Sequence, residues 1–383
     1  SIVLVAGLLP CASFYGSAWA SDAEGEASAS DAAQVAEGAS TADSALPADA
    51  DQSSESTQFA AVAQPADSTQ LAIAAQSSTE MLPFGNTISA AGEDHSAAIT
   101  ENGELWIWGR NSEFQLGYSS GDEKNYYPKK LMDDVASVAL ATNFSAAIKN
   151  NGELWTWGWN WKGVVGNEDT GSPHGFAPAK LMDDVVSVSL GYLHAAAIKR
   201  DGSLWTWGEN SHGELGDGTT NDSGNYEPKM IMNNVAAVSL GTGYSAAIDC
   251  DGALWMWGDN SKGQFGNGTT ESSTTPIKVM DGVSAVSLGG SHTGVIMTDG
   301  SLLTWGWNLD GQLGDGTTED SSVPVKVMDD VASISFRCCN SSAVKKDGTL
   351  WVWGDGAYNQ LGVTSWDQLK PVQYLEGVVC ASV

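Results

Sequence analysis

Asn102-Gly103-Glu104-Leu105-Trp106-Ile107-Trp108-Gly109 opens a string that the chain repeats five more times. The near-copies close at Gly158, Gly208, Gly258, Gly306 and Gly354, so the closing glycines stand 49, 50, 50, 48 and 48 residues apart. A fixed period near fifty marks a repeat architecture in which each copy is one supersecondary unit. Every copy sets Asn-Gly or Asp-Gly ahead of the string: Asn102-Gly103, Asn151-Gly152, Asp201-Gly202, Asp251-Gly252, Asp299-Gly300 and Asp347-Gly348. These dipeptides tolerate positive φ, so each is expected to form a two-residue primed turn between antiparallel strands.

Working outward, the string itself reads as the strand after the turn. Period two puts Trp106 and Trp108 on one face and Leu105 and Ile107 on the other. The residue between the tryptophans is Ile107, Thr156, Thr206, Met256, Thr304 or Val352, mostly β-branched as strands prefer. Before the turn lie an alternating apolar stretch (Val135 to Leu140) and an Ala-Ala-Ile strand (Ser145 to Lys149). After it come Gly-x-Leu-Gly or a variant, a polar loop, and an outer strand such as Pro324-Val325-Lys326-Val327-Met328. Four short strands per repeat, apolar on both faces, describe an all-β propeller whose blades stack around an axis.

Eleven of the sixteen tryptophans fill the two slots of the string: Trp106, Trp108, Trp155, Trp157, Trp205, Trp207, Trp255, Trp257, Trp305, Trp351 and Trp353, with Leu303 as the exception. A buried tryptophan withdraws on the order of 200 Å² from water, so these residues are expected to glue blade to blade rather than to form a ligand cage.

With 17 basic against 47 acidic residues the net charge is −30, and no Lys or Arg precedes Arg110. Such a chain repels phosphate backbones, so nucleic acid and anionic membranes are not expected partners. Residues 1–20 read as a signal peptide without its basic n-region: Ile2 to Leu9 are apolar, and Ala18-Trp19-Ala20 is a small-x-small cleavage pattern. The expected location is therefore secreted or cell-surface, with no membrane insertion after cleavage. Residues 21–85, rich in Ala, Ser and acidic side chains, are expected to be a disordered spacer, and residues 86–383 the propeller. Cys250, Cys338, Cys339 and Cys380 follow the signal. Free thiols and a link from Cys338 or Cys339 to Cys380 both stay open, while the lack of a CxxC disfavours zinc.

Gly92-x-x-His95-Ser96-Ala97-Ala98-Ile99, then Asn102-Gly103, Leu105-Trp106-x-Trp108-Gly109, Asn111 and Gln115-Leu116-Gly117 together resemble the RCC1 (regulator of chromosome condensation) repeat. WD40 repeats are shorter and carry Trp-Asp where this chain has Trp-Gly. The resemblance covers residues 86–383 and implies a propeller, typically seven-bladed. Here it implies six four-stranded blades plus the first strand of a truncated seventh, because Leu375 to Val383 aligns with Gly282 to Leu288. The founder of the family is a nucleotide-exchange factor for a nuclear GTPase. A secretory signal, an acidic tail and a period too even for an inserted wedge run against that role here. Secreted bacterial relatives include a β-lactamase-inhibiting propeller, which implies a secreted binding module.

His95, His194 and His292 share one slot, filled elsewhere by Phe144, Tyr244 and Asn340. Convergence on a metal is one reading. The family motif carries this His, which makes a framework role the expectation. No nucleophile elbow, phosphate loop or paired-His motif is present, so neither an enzyme nor a cofactor is expected. The turns Gly216-Asp-Gly-Thr-Thr, Gly266-Asn-Gly-Thr-Thr and Gly314-Asp-Gly-Thr-Thr match no calcium pattern and read as solvated turns. Residues that vary between copies carry more functional information. Trp159, Trp161 and Trp307 lie just past the string, joined by Phe114, His212 and Tyr358, and are expected on one rim as interface anchors or as blade caps. Tyr126, Tyr127, Phe176 and Tyr226 form a second set in loops before each Pro. Arg337 stands where a glycine is usual and either orients an acidic partner or pairs with a carboxylate. The expected function is a monomeric scaffold that binds another macromolecule, a protein, through a loop face. The alternatives are an exchange factor and a carbohydrate-binding propeller.

Overall fold

The computed structural model describes residues 88–92, 94–119, 124–167, 174–357, 360–362 and 367–378. The signal peptide, the spacer, Tyr358 and Cys380 lie outside these residues. Six four-stranded antiparallel sheets follow one another along the chain, each with its strands in sequence order. Blade one holds β1 (Ile88–Ala91), β2 (His95–Ile99), β3 (Leu105–Arg110) and β4 (Lys124–Met132). Blade two holds β5 (Val135–Leu140), β6 (Phe144–Lys149), β7 (Leu154–Trp159) and β8 (His174–Met182). Blade three holds β9 (Val185–Leu190), β10 (His194–Lys199), β11 (Leu204–Asn210) and β12 (Asn221–Met232). Blade four holds β13 (Val235–Leu240), β14 (Tyr244–Asp249), β15 (Leu254–Gly258) and β16 (Ser273–Met280). Blade five holds β17 (Val283–Leu288), β18 (His292–Met297), β19 (Leu302–Gly306) and β20 (Ser321–Met328). Blade six holds β21 (Val331–Arg337), β22 (Asn340–Lys345), β23 (Leu350–Asp355) and β24 (Asp367–Leu375).

First strands of adjacent blades touch one another (β5 with β9, β9 with β13, β13 with β17, β17 with β21), which places them innermost. Two are stitched directly: Ser239 Oγ accepts Leu288 N–H at 3.1 Å, and Ser287 Oγ accepts Phe336 N–H at 2.9 Å. At the end of each blade the chain returns to the centre, and Val185 N–H of blade three donates to Gly152 O of blade two at 2.9 Å. The same bond recurs from Val378 N–H to Gly348 O at 2.9 Å, so the chain past β24 enters the position where a next first strand begins.

The Asn-Gly and Asp-Gly pairs do not form the expected two-residue primed turns. In blade two, Gly152 N–H donates to Lys149 O and Lys149 N–H to Glu153 O, both at 2.9 Å, enclosing a three-residue loop. Only Gly152 has positive φ, at 86°. This is a turn closed by a glycine bulge. The residue before the glycine serves through its side chain: Asn151 Oδ1 accepts Glu153 N–H at 3.0 Å, as Asp201 accepts Ser203 N–H at 2.9 Å.

The two tryptophan slots share a seam but not an environment. Trp157 is fully buried among Ala97, Leu105, Ile107 and Leu116 of blade one, and its indole N–H donates to Gln115 O at 2.9 Å. Trp207, Trp257, Trp305 and Trp353 repeat this burial, donating to Val164, Glu214, Gln264 and Gln312 carbonyls of the preceding blade. Trp106, Trp155, Trp205, Trp255 and Trp351 lie half-buried at the seam's edge. Their N–H groups bond nearby side chains of the same blade, such as Glu153 at 3.2 Å or Ser203 at 2.9 Å. Trp108, with no preceding blade among the described residues, is also half-buried. At Gly158 a side chain would not fit: a Cβ would lie 2.6 Å from Asn143 O, across the strand pair that Trp159 N–H ties at 3.0 Å.

Candidate functional site

The histidine slot proves to be part of the blade seams. His95 Nε2 lies 2.8 Å from Ser145 Oγ in the next blade, and Ser145 Oγ donates its single proton to Gln115 O at 2.9 Å. The imidazole must therefore be the donor, through Nε2–H. His194 with Ser245 (2.9 Å) and His292 with Ser341 (2.9 Å) repeat the relay, ending on Glu214 O and Gln312 O. Burial lowers His95 to about 3, with the charge of Arg337 adding to it, and lowers His194 to about 4 and His292 to about 3. All three rings are neutral at ordinary pH. Each is held at its own seam, and among the described residues no group of three or more His, Cys, Asp or Glu is placed to hold a metal ion. Where the slot is Phe144, the next blade supplies Ala195 in place of Ser; where it is Tyr244, the hydroxyl donates to His292 O at 2.7 Å.

A second framework device was legible in the sequence only as Asn111 of the family motif, with no role attached. Asn111, Asn160, Asn210, Asn260 and Asn308 stand two residues past the glycine that closes each string and are all buried. Each accepts one loop N–H on Oδ1, as Asn210 does from Leu215 at 3.1 Å, and donates Nδ2 to a loop carbonyl, here Thr219 O at 3.1 Å. Its five-fold recurrence in one register was the available signal. The Gly-Asp-Gly-Thr-Thr strings close on themselves: Asp217 accepts Thr219 N–H at 3.0 Å and Thr219 Oγ1–H at 2.6 Å, and Asp315 accepts Thr317 N–H at 2.8 Å.

With four antiparallel strands per blade, the first-to-second and third-to-fourth connections leave from one end, and the Gly-bulge turns from the other. Backbone bonds tie the two kinds of connection at the first end: Trp159 N–H to Asn143 O at 3.0 Å, Glu209 to Leu193 at 2.8 Å, Trp307 to Ser291 at 2.9 Å. Trp159, Trp161, Trp307, Phe114, His212 and Arg337 all stand on this rim. Tyr358 is outside the described residues.

Only some of them meet. Trp159 and Trp161 stack with ring centroids 5.2 Å apart and planes 19° off parallel. A short turn, Trp161–Gly163, with Lys162 in the left-handed region at φ 60°, follows directly and packs against β12 of blade three. Trp159 rests on the core between blades two and three, which makes it a cap, whereas Trp161 is 46% exposed. Lys162 Nζ lies 5.1 Å from the Trp161 ring centre. On the blade-three side stand Glu209 and His212, with the His212 ring 3.0 Å from Ser211 Oγ. Hydrogen bonding to the buried Glu214 is the main cause that raises His212 above its ordinary pKa, and the charges of Glu214, Asp259 and Glu209 add to it. Burial, then the charge of Glu214, raises Glu209, against the opposing pull of Lys162 and His212. The Ser211–His212 contact does not make a nucleophile, because Ser211 and the nearest Glu214 oxygen (4.0 Å) both address Nδ1 rather than opposite ring nitrogens.

Trp307 takes the Trp159 slot three blades away and is half-buried. Phe114 is a half-buried turn residue at φ 60°, where blades two to five have glycine. Arg337 ends β21, paired across its turn with Asn340, and its charge reaches His95. The second aromatic set lies on strands, not in loops: Tyr126 and Tyr127 are exposed on outer strand β4, Tyr226 is half-buried on β12, and Phe176 falls on β8. Outer strands start earlier than the sequence suggests because they continue past a bulge opposite the Trp-Gly glycine. Two exposed rim residues went unnoticed in the sequence, Tyr192 (50%) and Leu309 (62%). Tyr192 adjoins Leu193, whose carbonyl holds Glu209, so it extends the patch built by Trp161, Lys162, Glu209 and His212.

The fold has close counterparts of known structure. Human WBSCR16 superposes with a TM-score of 0.69 at 22% identity, over 79% of this chain and 86% of that one. Yeast RCC1 (Prp20), solved bound to Kap60, gives 0.68 at 22% identity over 76% and 75%. Prp20p from Saccharomyces cerevisiae, described with its binding properties to Gsp1p and histones, gives 0.67 at 22% over 76% and 76%. No curated protein matches the chain in sequence. The family model for the RCC1-like domain matches residues 54–383, beginning inside the stretch assigned above to the spacer. With the match spanning most of its length, the chain belongs to the RCC1-like domain family.

Proposed function

We propose that this propeller is a secreted or cell-surface binding module, not an enzyme, that engages another protein through the rim bearing Trp159 and Trp161. The carrying observation is the stacked pair, in which the core holds Trp159 as a base and leaves Trp161 half exposed. Rigid aromatic surface with charged neighbours is the usual make-up of an interface anchor. The signal-like residues 1–20 support secretion, and the net charge of −30 argues against nucleic acid as the partner.

The test is site-specific photo-crosslinking. A benzophenone side chain in place of Tyr192, exposed on the same patch, should trap a discrete partner from the surface and secreted proteins of the producing cells, and the same group at Met230 on the outer strand should not. Equal trapping at both positions would refute the rim assignment. The stacked pair also fits a sugar ring, and glycan-array binding lost on Trp161→Ala would move the reading to carbohydrate. Binding of a small GTPase with accelerated nucleotide release would instead establish exchange activity.

A further inference from the structure

In blade six, β21 and β22 are joined by Cys338-Cys339 alone, with Arg337 paired to Asn340 across the turn. Cys338 has φ 41°, the sign required at the first central residue of a type II′ turn and one that most L-residues avoid. The corresponding residues Thr142, Tyr192, Thr242 and Gly290 all lack positive φ. The unusual turn therefore belongs to the cysteine pair and not to the repeat. It brings the two sulfurs to 3.4 Å. The repeat's own contacts survive around it: Cys339 O accepts Asp355 N–H at 3.1 Å, and Cys338 O accepts Gly290 N–H of blade five at 3.0 Å. Cys338 is half-buried and Cys339 only 4% exposed.

We propose that Cys338 and Cys339 are a reversible redox site on the loop rim, closing into a vicinal disulfide by exchange with a low-molecular-weight disulfide. The Cys338 thiolate attacks one sulfur of the reagent RSSR; that S–S bond breaks, and RS⁻ departs and takes up a proton. Cys339 then loses its proton and attacks Cys338 Sγ, breaking the mixed disulfide and releasing the second RS⁻, which is likewise protonated. The two cysteines are oxidised by two electrons in all, and RSSR is reduced to two RSH. The exposure pattern suits this order, since only Cys338 must meet the reagent and the buried neighbour resolves the adduct. Adjacent Cα atoms stand about 3.8 Å apart, short of the usual disulfide span of about 4.4–6.8 Å, so the ring is strained and easily reduced again. Cys250 is exposed with no neighbouring cysteine in the sequence, and serves as an internal comparison.

The intact chain is treated with oxidised glutathione, quenched with N-ethylmaleimide and digested with trypsin. Cleavage after Arg337 and Lys345 leaves both cysteines in the 338–345 peptide. The expected product is that peptide lighter by two hydrogens, unalkylated and restored by dithiothreitol, while Cys250 stops as a glutathione adduct. In Cys339→Ser, Cys338 should also stop as the adduct. The proposal is overturned if the wild-type peptide carries two maleimides while Cys250 has reacted. It is equally overturned by a lasting glutathione adduct on that peptide, or by a cross-link from it to Cys380.

Discussion

The His–Ser relays make a quantitative demand on acid stability. An unfolded histidine titrates near 6.5, whereas burial holds His95 and His292 at about 3 and His194 at about 4. A folded pKa below the unfolded one means that the unfolded chain binds the extra proton. The neutral rings thus contribute nothing against acid, and stability falls as pH drops below about 6.5 until the folded pKa values are reached. At pH 5 each ring lies about 1.5 units below its unfolded pKa, a loss of about 2 kcal/mol per histidine and about 6 kcal/mol for three. That is a large part of the roughly 5–15 kcal/mol that holds an ordinary domain together. Blade two shows how to remove the effect, because Phe144 and Ala195 occupy the same pair of positions with no ionisable group. The variant carries His95→Phe with Ser145→Ala, His194→Phe with Ser245→Ala, and His292→Phe with Ser341→Ala. The carbonyls that lose the serine hydroxyl keep a tryptophan N–H, as Gln115 O keeps Trp157 at 2.9 Å. Urea unfolding followed by tryptophan fluorescence at pH 7.5 and pH 5 should show wild type losing about 6 kcal/mol more than the variant, with single pair exchanges recovering about 2 kcal/mol each. Equal pH sensitivity in wild type and variant would refute the assignment of these rings as buried neutral donors.

Other expectations concern single side chains. Trp157→Ala should destabilise by about 3–5 kcal/mol in a thermal melt, whereas Trp155→Ala, at the edge of the same seam, should lose less than half of that. Asn210→Ala leaves the buried Leu215 N–H without its acceptor, and should cost about 1–3 kcal/mol and speed amide exchange at Leu215. Gly152→Ala forces an L-side chain into the left-handed region at φ 86°, a penalty of about 1–2 kcal/mol measurable by urea midpoint. Trp161→Ala, by contrast, should leave the melting temperature unchanged while abolishing the crosslinked partner.

Much of the framework could be read because each requirement is met six times in one register. The Trp-x-Trp-Gly strand, its turn and the outer Pro-x-Lys strand all stood where the period put them. The turn type was misjudged because Asn-Gly suits both a primed turn and a glycine bulge, and only the pairing of Lys149 with Glu153 decides between them. The His–Ser relays were hidden differently. His95 and Ser145 lie 50 residues apart, so the partner stands in the next copy, one position past the equivalent residue. Comparing like positions, His95 with Phe144 and His194, conceals a match that comparing neighbouring blades reveals.

By itself the sequence determined the blade: its length, its four strands, which tryptophans belong to the framework, and the family to which the chain belongs. Those properties arise from local turn chemistry and from periodicity, and both are written along the chain. Tertiary structure alone decided which outlying residues meet. Trp159 and Trp161 stack where the chain turns after β7 over one seam, while Trp307, identical in slot and residue type, lies three blades away. It likewise decided that Cys338 and Cys339 bring their sulfurs together, which follows from a backbone angle at one turn. Contact on a rim depends on rotation about the propeller axis and on loop conformation, and neither has a counterpart in sequence spacing.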